Sequence, residues 1–279
     1  MILFMLLAPL VAPLIGVVLL SFGWRFIFGF LCLYGGIVGV AYFFGVKELR
    51  ADRASAPDFP KIFRQYAQVI NHRLEGKKLS IRYALASSLS TATMMIYLTN
   101  ASFLLQTYFG VETRMFPLFF SINVIFFAVA QAFSARYLRN RDLPQTANYY
   151  RLGHALQLLS TAALLASVLL FDPPFWFVLV FLGASLGCIG LVGPSGSGIY
   201  LAAFSRLSGS AAALLTVSMF LIGSIIGAIS GLFRTGDLLP LATAIFGASL
   251  MANLLVFSIS RAHEAEVLEK LGRGEIEPL

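Results

Sequence analysis

The chain has 279 residues, of which 58% are hydrophobic and 12% charged, and its mean hydropathy is +0.84. Soluble domains carry about 25% charged residues, so there is too little charge here to cover a water-exposed surface, and a soluble globular class is excluded. The net charge of +7 does not point to nucleic acid either, because the basic residues gather between apolar runs, as membrane topology requires.

In chain order the apolar runs predict eight membrane helices, over about 2–20, 26–46, 83–106, 115–135, 152–171, 175–199, 210–232 and 238–260, each near the ~20 residues that cross a bilayer core. The first, MILFMLLAPLVAPLIGVVLL, holds Pro9 and Pro13 four residues apart. Each proline removes a backbone bond and costs about 3 kcal/mol in an ordinary helix interior. Beside them Ala8, Ala12 and Gly16 form a stripe of small residues, which suits a helix that packs closely on neighbours able to satisfy the freed carbonyls. No Lys or Arg precedes this run, which favours a span over a cleaved signal. Cys32 and Cys188 fall within apolar runs with no thiol, histidine or carboxylate cluster around them, so they read as small buried residues.

The one long break, Lys47 to Arg82, is not a plain linker. From Asp58 onward Phe59, Phe63, Tyr66, Ile70 and Leu74 recur every three or four residues, with Lys61, Arg64 and Arg73 between them. That pattern predicts an amphipathic interfacial helix, N-capped by Asp58, that tethers two parts of a bundle. Nine basic residues lie in this break, and four more (Arg136, Arg139, Arg141 and Arg151) follow the fourth span. Arg206 and the tail residues Arg261, Lys270 and Arg273 complete seventeen, against Arg25, Arg114 and Arg234 on the other side. Seventeen against three places the long loop and both termini in the cytoplasm. All charges fall in loops, the tail or span edges, and the tail RAHEAEVLEKLGRGEIEPL reads as a solvated, fraying helix.

Within the spans, Gly223, Gly227 and Gly231 share one helical stripe, as do Gly183 with Gly187 and Gly35 with Gly39; such stripes let helices approach in lipid. GCIGLVGPSGSG lacks the Lys-Ser/Thr ending of a phosphate loop and reads as a flexible, broken part of the sixth span, a discontinuity that lines a cavity or a plain packing kink. Intramembrane polar residues are few: Asn100, Gln106, Asn123, Gln131, His154, Gln157 and Asn253. Such groups face bundle interiors and mark pathways, which makes Asn100 and Asn123 candidate cavity residues. Met94, Tyr97 and Phe127 are candidates for an adaptable apolar wall, with ordinary packing the plainer reading. His154, close to Arg151 at a span end, reads as interfacial packing rather than a proton relay. No paired carboxylate, HExxH or GxSxG is present in a span, so no enzyme is expected, and no metal or organic cofactor.

Taken together, APLVAPLIG followed by GWRFIFGF resembles the fifth-helix antiporter motif of major facilitator drug/proton antiporters, most closely the bicyclomycin-resistance (Bcr/CflA) branch. FSINVIFFAV and GCIGLVG through GSIIGAISG resemble that branch's eighth, tenth and eleventh helices, so the likeness covers essentially the whole chain. Val17 departs from it, standing where the family has a second glycine. The resemblance implies an all-α bundle in which about eight of an expected twelve helices are present, the first four being missing. Residues 1–46 would close the N-terminal half, 47–82 form the central linker, 83–260 the C-terminal six-helix half and 261–279 a cytoplasmic tail. It further implies proton-coupled efflux of small amphipathic compounds across the bacterial inner membrane by alternating access. The energy source would be the proton gradient and the partners lipid, substrate, protons and an N-terminal transporter fragment. Ala8, Pro9, Ala12, Pro13 and Gly16 would shape the interface between halves. The coupling acids of the family lie in its first helix, which explains why no intramembrane charge is found here. Export of a metabolite, or a non-transporting scaffold or relic, is the alternative reading.

Overall fold

A computed structural model describes residues 15–16, 18–45, 59–233 and 236–276. Most of the antiporter motif (Ala8, Pro9, Ala12 and Pro13) lies outside the described residues; Gly16 is helical, with nothing close to its Cα. Nine α-helices form among the described residues. We label them α1 (Trp24–Gly45), α2 (Phe59–Asn71), α3 (Leu79–Ser102), α4 (Phe116–Tyr137), α5 (Leu143–Leu170), α6 (Phe175–Ala202), α7 (Ser208–Leu232), α8 (Leu239–Phe257) and α9 (Arg261–Gly272).

Six of these are long and apolar enough to cross a membrane: α1 and α4 to α8. The helix α3 has the length of a span but is more polar, since it carries Ser87, Ser88, Ser90, Thr91, Thr93 and Asn100. Most of those side chains are buried against other helices, which is how a bilayer tolerates them. No residue of α1 is buried, and its aromatic surface, with Phe43 and Phe44 fully outward, is one that only lipid or other helices can cover.

The six helices α3 to α8 form one bundle. Apart from α5 and α6, its main pairs are not neighbours in sequence: α3 packs on α7 and α8, α4 on α6, and α5 on α6 and α8, with α3 also touching α6. Exchanging α3, α4 and α5 for α6, α7 and α8 leaves that set of pairs unchanged. Because α3 starts at the end bearing α2 and α6 starts at the opposite end, the bundle is an inverted repeat of two three-helix units.

Glycines set the closest approaches. A Cβ on Gly190 of α6 would stand 2.6 Å from the Phe127 carbonyl and 2.7 Å from the Gln131 amide of α4. One on Gly227 of α7 would meet the Met95 carbonyl of α3 at 3.1 Å. Gly223 also faces Met95, and Gly231 is half-buried further along the same helix. The expected break at GCIGLVGPSGSG is not there: α6 runs unbroken through Pro194. Gly187, Gly190 and Gly196 serve contact instead, and Ser195, beside the proline, donates to the Leu191 carbonyl at 2.7 Å.

Two further expectations change. The helix α5 starts at Leu143, nine residues before the predicted 152. The Asp142 side chain caps it by accepting from the Gln145 amide at 2.8 Å, and Pro144 occupies its first turn. Arg151 therefore sits inside a helix and not in a turn. The tail is not a fraying solvated helix either, because α9 buries Glu264, Val267, Leu268 and Leu271. The linker helix α2 docks on α7, and Val69 and Leu74 join the same core as Val267, Leu268 and Leu271. His72 rests on Phe204, ring centroids 5.0 Å apart, and burial lowers its pKa. A tight turn through Glu75 (φ 45°) and Gly76 (φ 78°), closed by mutual bonds between Leu74 and Lys77, then leads into α3.

Replacing Gly190 by Ala forces α4 and α6 apart. We expect about 1–3 kcal/mol of destabilisation, read as a lower thermal midpoint in detergent, whereas Gly193→Ala, with open space around its Cα, leaves the midpoint in place.

Candidate functional site

A cavity of about 570 Å³ opens between α3, α4, α6 and α7. Its wall is formed by Thr91, Met94 and Met95 of α3, Phe127, Gln131 and Ala135 of α4, Ile189, Gly193, Pro194 and Ser197 of α6, and Met219 and Phe220 of α7. It extends from the middle of the bundle toward the end that holds α2 and α9. No ionisable side chain lines it. Three thioethers and two phenyl rings supply a deformable apolar surface, while Gln131, Ser197 and Thr91 supply the polar contacts. The Thr91 hydroxyl already donates to the Ser87 carbonyl at 2.9 Å, so toward a ligand it offers an acceptor. A uniformly uncharged wall suits a neutral solute, since an unpaired charge in such surroundings is costly.

A larger furrow, about 790 Å³, runs between α5 and α8 along Leu158, Leu159, Leu250, Leu254 and Phe257. Its polar groups are committed to backbone: Asn253 donates to the His154 carbonyl at 2.9 Å and Ser258 to the Leu255 carbonyl at 2.8 Å. With Leu159 and Leu254 strongly exposed, this surface has the character of a lipid-facing groove.

The candidate cavity residues divide. Met94 and Phe127 line the cavity. Tyr97, Asn100 and Asn123 do not; they are buried in contacts between helices. Asn123 donates from Nδ2 to the Tyr97 hydroxyl at 3.0 Å, tying α4 to α3, and its Oδ1 faces the Gly183 position of α6. Asn100 donates to Ser230 Oγ at 3.0 Å and to the Ile96 carbonyl at 2.9 Å, tying α3 to α7. Gln157 bonds Ser90 and Thr93 across α5 and α3. His154 is wholly buried edge-on against Tyr150, ring centroids 4.5 Å apart, and neither ring nitrogen has a partner among the described residues. Cys188 is buried and Cys32 exposed; both are free thiols.

Sequence reasoning passed over a charged cluster at the end of the bundle nearest the tail. Glu264 of α9 accepts from Arg151 of α5, with Nη2 at 2.6 Å and Nε at 2.7 Å from Oε2. The Tyr83 hydroxyl of α3 donates to the other carboxylate oxygen, and Arg151 Nη2 also donates to the Ile259 carbonyl at 2.9 Å. Both ion-pair side chains are almost fully buried. The clue was in the tail itself, where Glu264, Val267, Leu268 and Leu271 recur every three or four residues. Further out Lys270 bonds Glu266 at 2.8 Å and Glu75 of the linker turn at 2.9 Å. The hydrogen bond to Glu266, then the one to Glu75, raises the pKa of its ammonium.

These features define a multi-pass membrane protein built on an inverted three-helix repeat, with an uncharged cavity on one face. The chain belongs to the Major Facilitator Superfamily, whose sequence pattern matches residues 1–228. It is 24% identical over 253 residues to a bicyclomycin resistance protein homolog of Haemophilus influenzae, an alignment covering 90% of this chain and 61% of the relative. It is 23% identical over 259 residues to YdgK, an MFS-type transporter of Bacillus subtilis that is itself uncharacterized, covering 91% of this chain and 62% of the relative. The chain thus spans about three fifths of the length of these curated relatives. The likeness to the bicyclomycin-resistance branch read from the motifs agrees with the first of them, and the all-α bundle agrees with the family.

The Tyr97–Asn123 bond is a packing contact, so Tyr97→Phe, which strands the buried Asn123 amide, should cost about 1–3 kcal/mol. The double change Tyr97→Phe/Asn123→Leu, which removes both partners, should recover most of that; thermal midpoints of the parent and the two variants decide the matter.

Proposed function

We propose that this chain supplies the C-terminal half and the adjoining helices of a proton-coupled exporter of small uncharged amphipathic compounds. The observation that carries this reading is the cavity between α3, α4, α6 and α7, apolar and adaptable, with Gln131, Ser197 and Thr91 as its few polar groups. It lies on one face of an inverted repeat, and in transporters built on such repeats substrate sites form where repeats meet, near the bilayer midplane. Family membership supports transport, and the name of the resistance-named relative favours efflux over uptake. The charge asymmetry of the loops supports a cytoplasmic position for α2, α9 and both termini, and the inner membrane of a bacterium is the expected location.

In this mechanism the solute rests against thioether and phenyl surfaces, and alternating exposure of the cavity to the two sides moves it outward. The described spans hold no carboxylate beside the cavity, so proton coupling is assigned to the opposing half. This half contributes shape, a neutral lining and rigid closure through α3 and α6. The antiporter stripe of Ala8, Pro9, Ala12, Pro13 and Gly16 would limit leak at the seam between halves.

Bicyclomycin, a solute named by the Haemophilus relative, is the first compound to test. Efflux-deficient bacteria producing this chain together with an opposing N-terminal half should accumulate less of it than cells producing either piece alone, and a protonophore should abolish the difference. Gln131→Ala should reduce efflux about fivefold, the value of about one hydrogen bond of ~1 kcal/mol. Equal accumulation of bicyclomycin and other neutral antibiotics in co-producing and control cells, with both pieces present in the membrane, overturns the proposal.

A further inference from the structure

We propose that Glu264 is a positioning residue of the transport cycle, through which the tail helix α9 fixes the cavity wall on α3. The inference rests on the cavity being the transport pathway. It starts from an energetic oddity: a buried ion pair is seldom a strong source of net stability, because desolvation offsets most of the attraction, and apolar replacements of similar volume are often as stable. What such a pair does supply is direction. The planar guanidinium of Arg151 meets Glu264 through Nε and Nη2 and also meets the Ile259 carbonyl, so the start of α9, the end of α8 and α5 are held in one register.

From this clasp a continuous run of hydrogen bonds reaches the cavity. Glu264 receives the Tyr83 hydroxyl. The Tyr150 hydroxyl donates to the Tyr83 carbonyl at 3.2 Å and lies 3.1 Å from Ser87 Oγ. The Ser87 carbonyl accepts from Thr91, and Thr91 is part of the cavity wall. The same stretch is wedged against α6: a Cβ on Gly196 would stand 2.5 Å from Ser87 Oγ and 2.6 Å from the Tyr150 ring. The wall residues Pro194 and Ser197 flank that glycine. A shift of α9 is therefore passed to α3 and α6 together, because close-packed elements with fixed bonds move between discrete arrangements rather than deforming smoothly.

The test reads the cavity directly and needs no substrate. In a Cys32→Ser/Cys188→Ser background, Gln131→Cys places one thiol in the cavity wall. Its alkylation by a membrane-impermeant maleimide is followed in inside-out membrane vesicles. Tyr83→Phe, which cuts the link to α3 while leaving the ion pair, and Arg151→Met/Glu264→Leu, which replaces the pair by apolar groups, should each change the labelling rate by about fivefold or more, the scale of a modest coupling between sites. The double variant should nonetheless melt close to the parent. Lys270→Gln, which removes only the exposed bridge to Glu75, should leave labelling unchanged. If the double variant fails to fold, Tyr83→Phe decides alone. Parental labelling in a normally melting Tyr83→Phe protein overturns the proposal, as does an equal shift in Lys270→Gln. A shift in labelling without bicyclomycin efflux supports the positioning role and overturns only the choice of substrate.

Discussion

Close backbone approach between helices is the constraint on which the rest of this bundle depends. In lipid, apolar surface gains little by leaving the surrounding acyl chains, so helices are held by tight packing and by bonds across their contacts. Here Gly190 brings α6 onto the backbone of α4, and Gly223 and Gly227 bring α7 onto Met95 of α3. These are symmetry-related contacts of the inverted repeat. Fixing them leaves α5 and α8 to pack behind, and it leaves the cavity open on the face where α3, α4, α6 and α7 meet.

Polar side chains then give that packing a single register. On α3 a ladder of hydroxyl and amide groups, from Tyr83 through Ser87, Ser90 and Thr93 to Asn100, is bonded turn by turn to α9, α5, α7 or its own backbone. Each bond contributes modestly, but a buried group left without a partner costs more than its bond is worth. A slipped register would strand several at once. The polarity that makes α3 a weak membrane span by composition is thus what specifies its place at the centre of the bundle.

The same economy explains the cavity. Side chains able to bond are drawn into contacts between helices, as with Asn123 on Tyr97 and Asn100 on Ser230, and what remains to line the opening is mostly methionine, phenylalanine and small residues. A surface of that kind adapts to shape better than it recognises pattern, which fits the proposed export of varied neutral compounds. Charge is kept at the end of the bundle, where Arg151, Glu264 and Tyr83 join the tail to α3 and α5.

Much of the architecture was legible in one dimension. Run length gave the described spans, and glycine spacing marked faces on which α4 and α6, and α3 and α7, meet, because each of these depends on local composition and helical period alone. Pairing did not follow from the sequence, since α3 packs chiefly on α7 rather than on α4, and an amide in a span reads the same whether it faces a cavity or a neighbour. That is why Asn100, Asn123 and Tyr97 resemble cavity residues in sequence and are contact residues in space, while Met94 and Phe127 reach the opening. Glu264 was invisible for the same reason: its partners lie 113 and 181 positions away, and only the folded bundle brings a tail carboxylate, an arginine inside α5 and a tyrosine to one point.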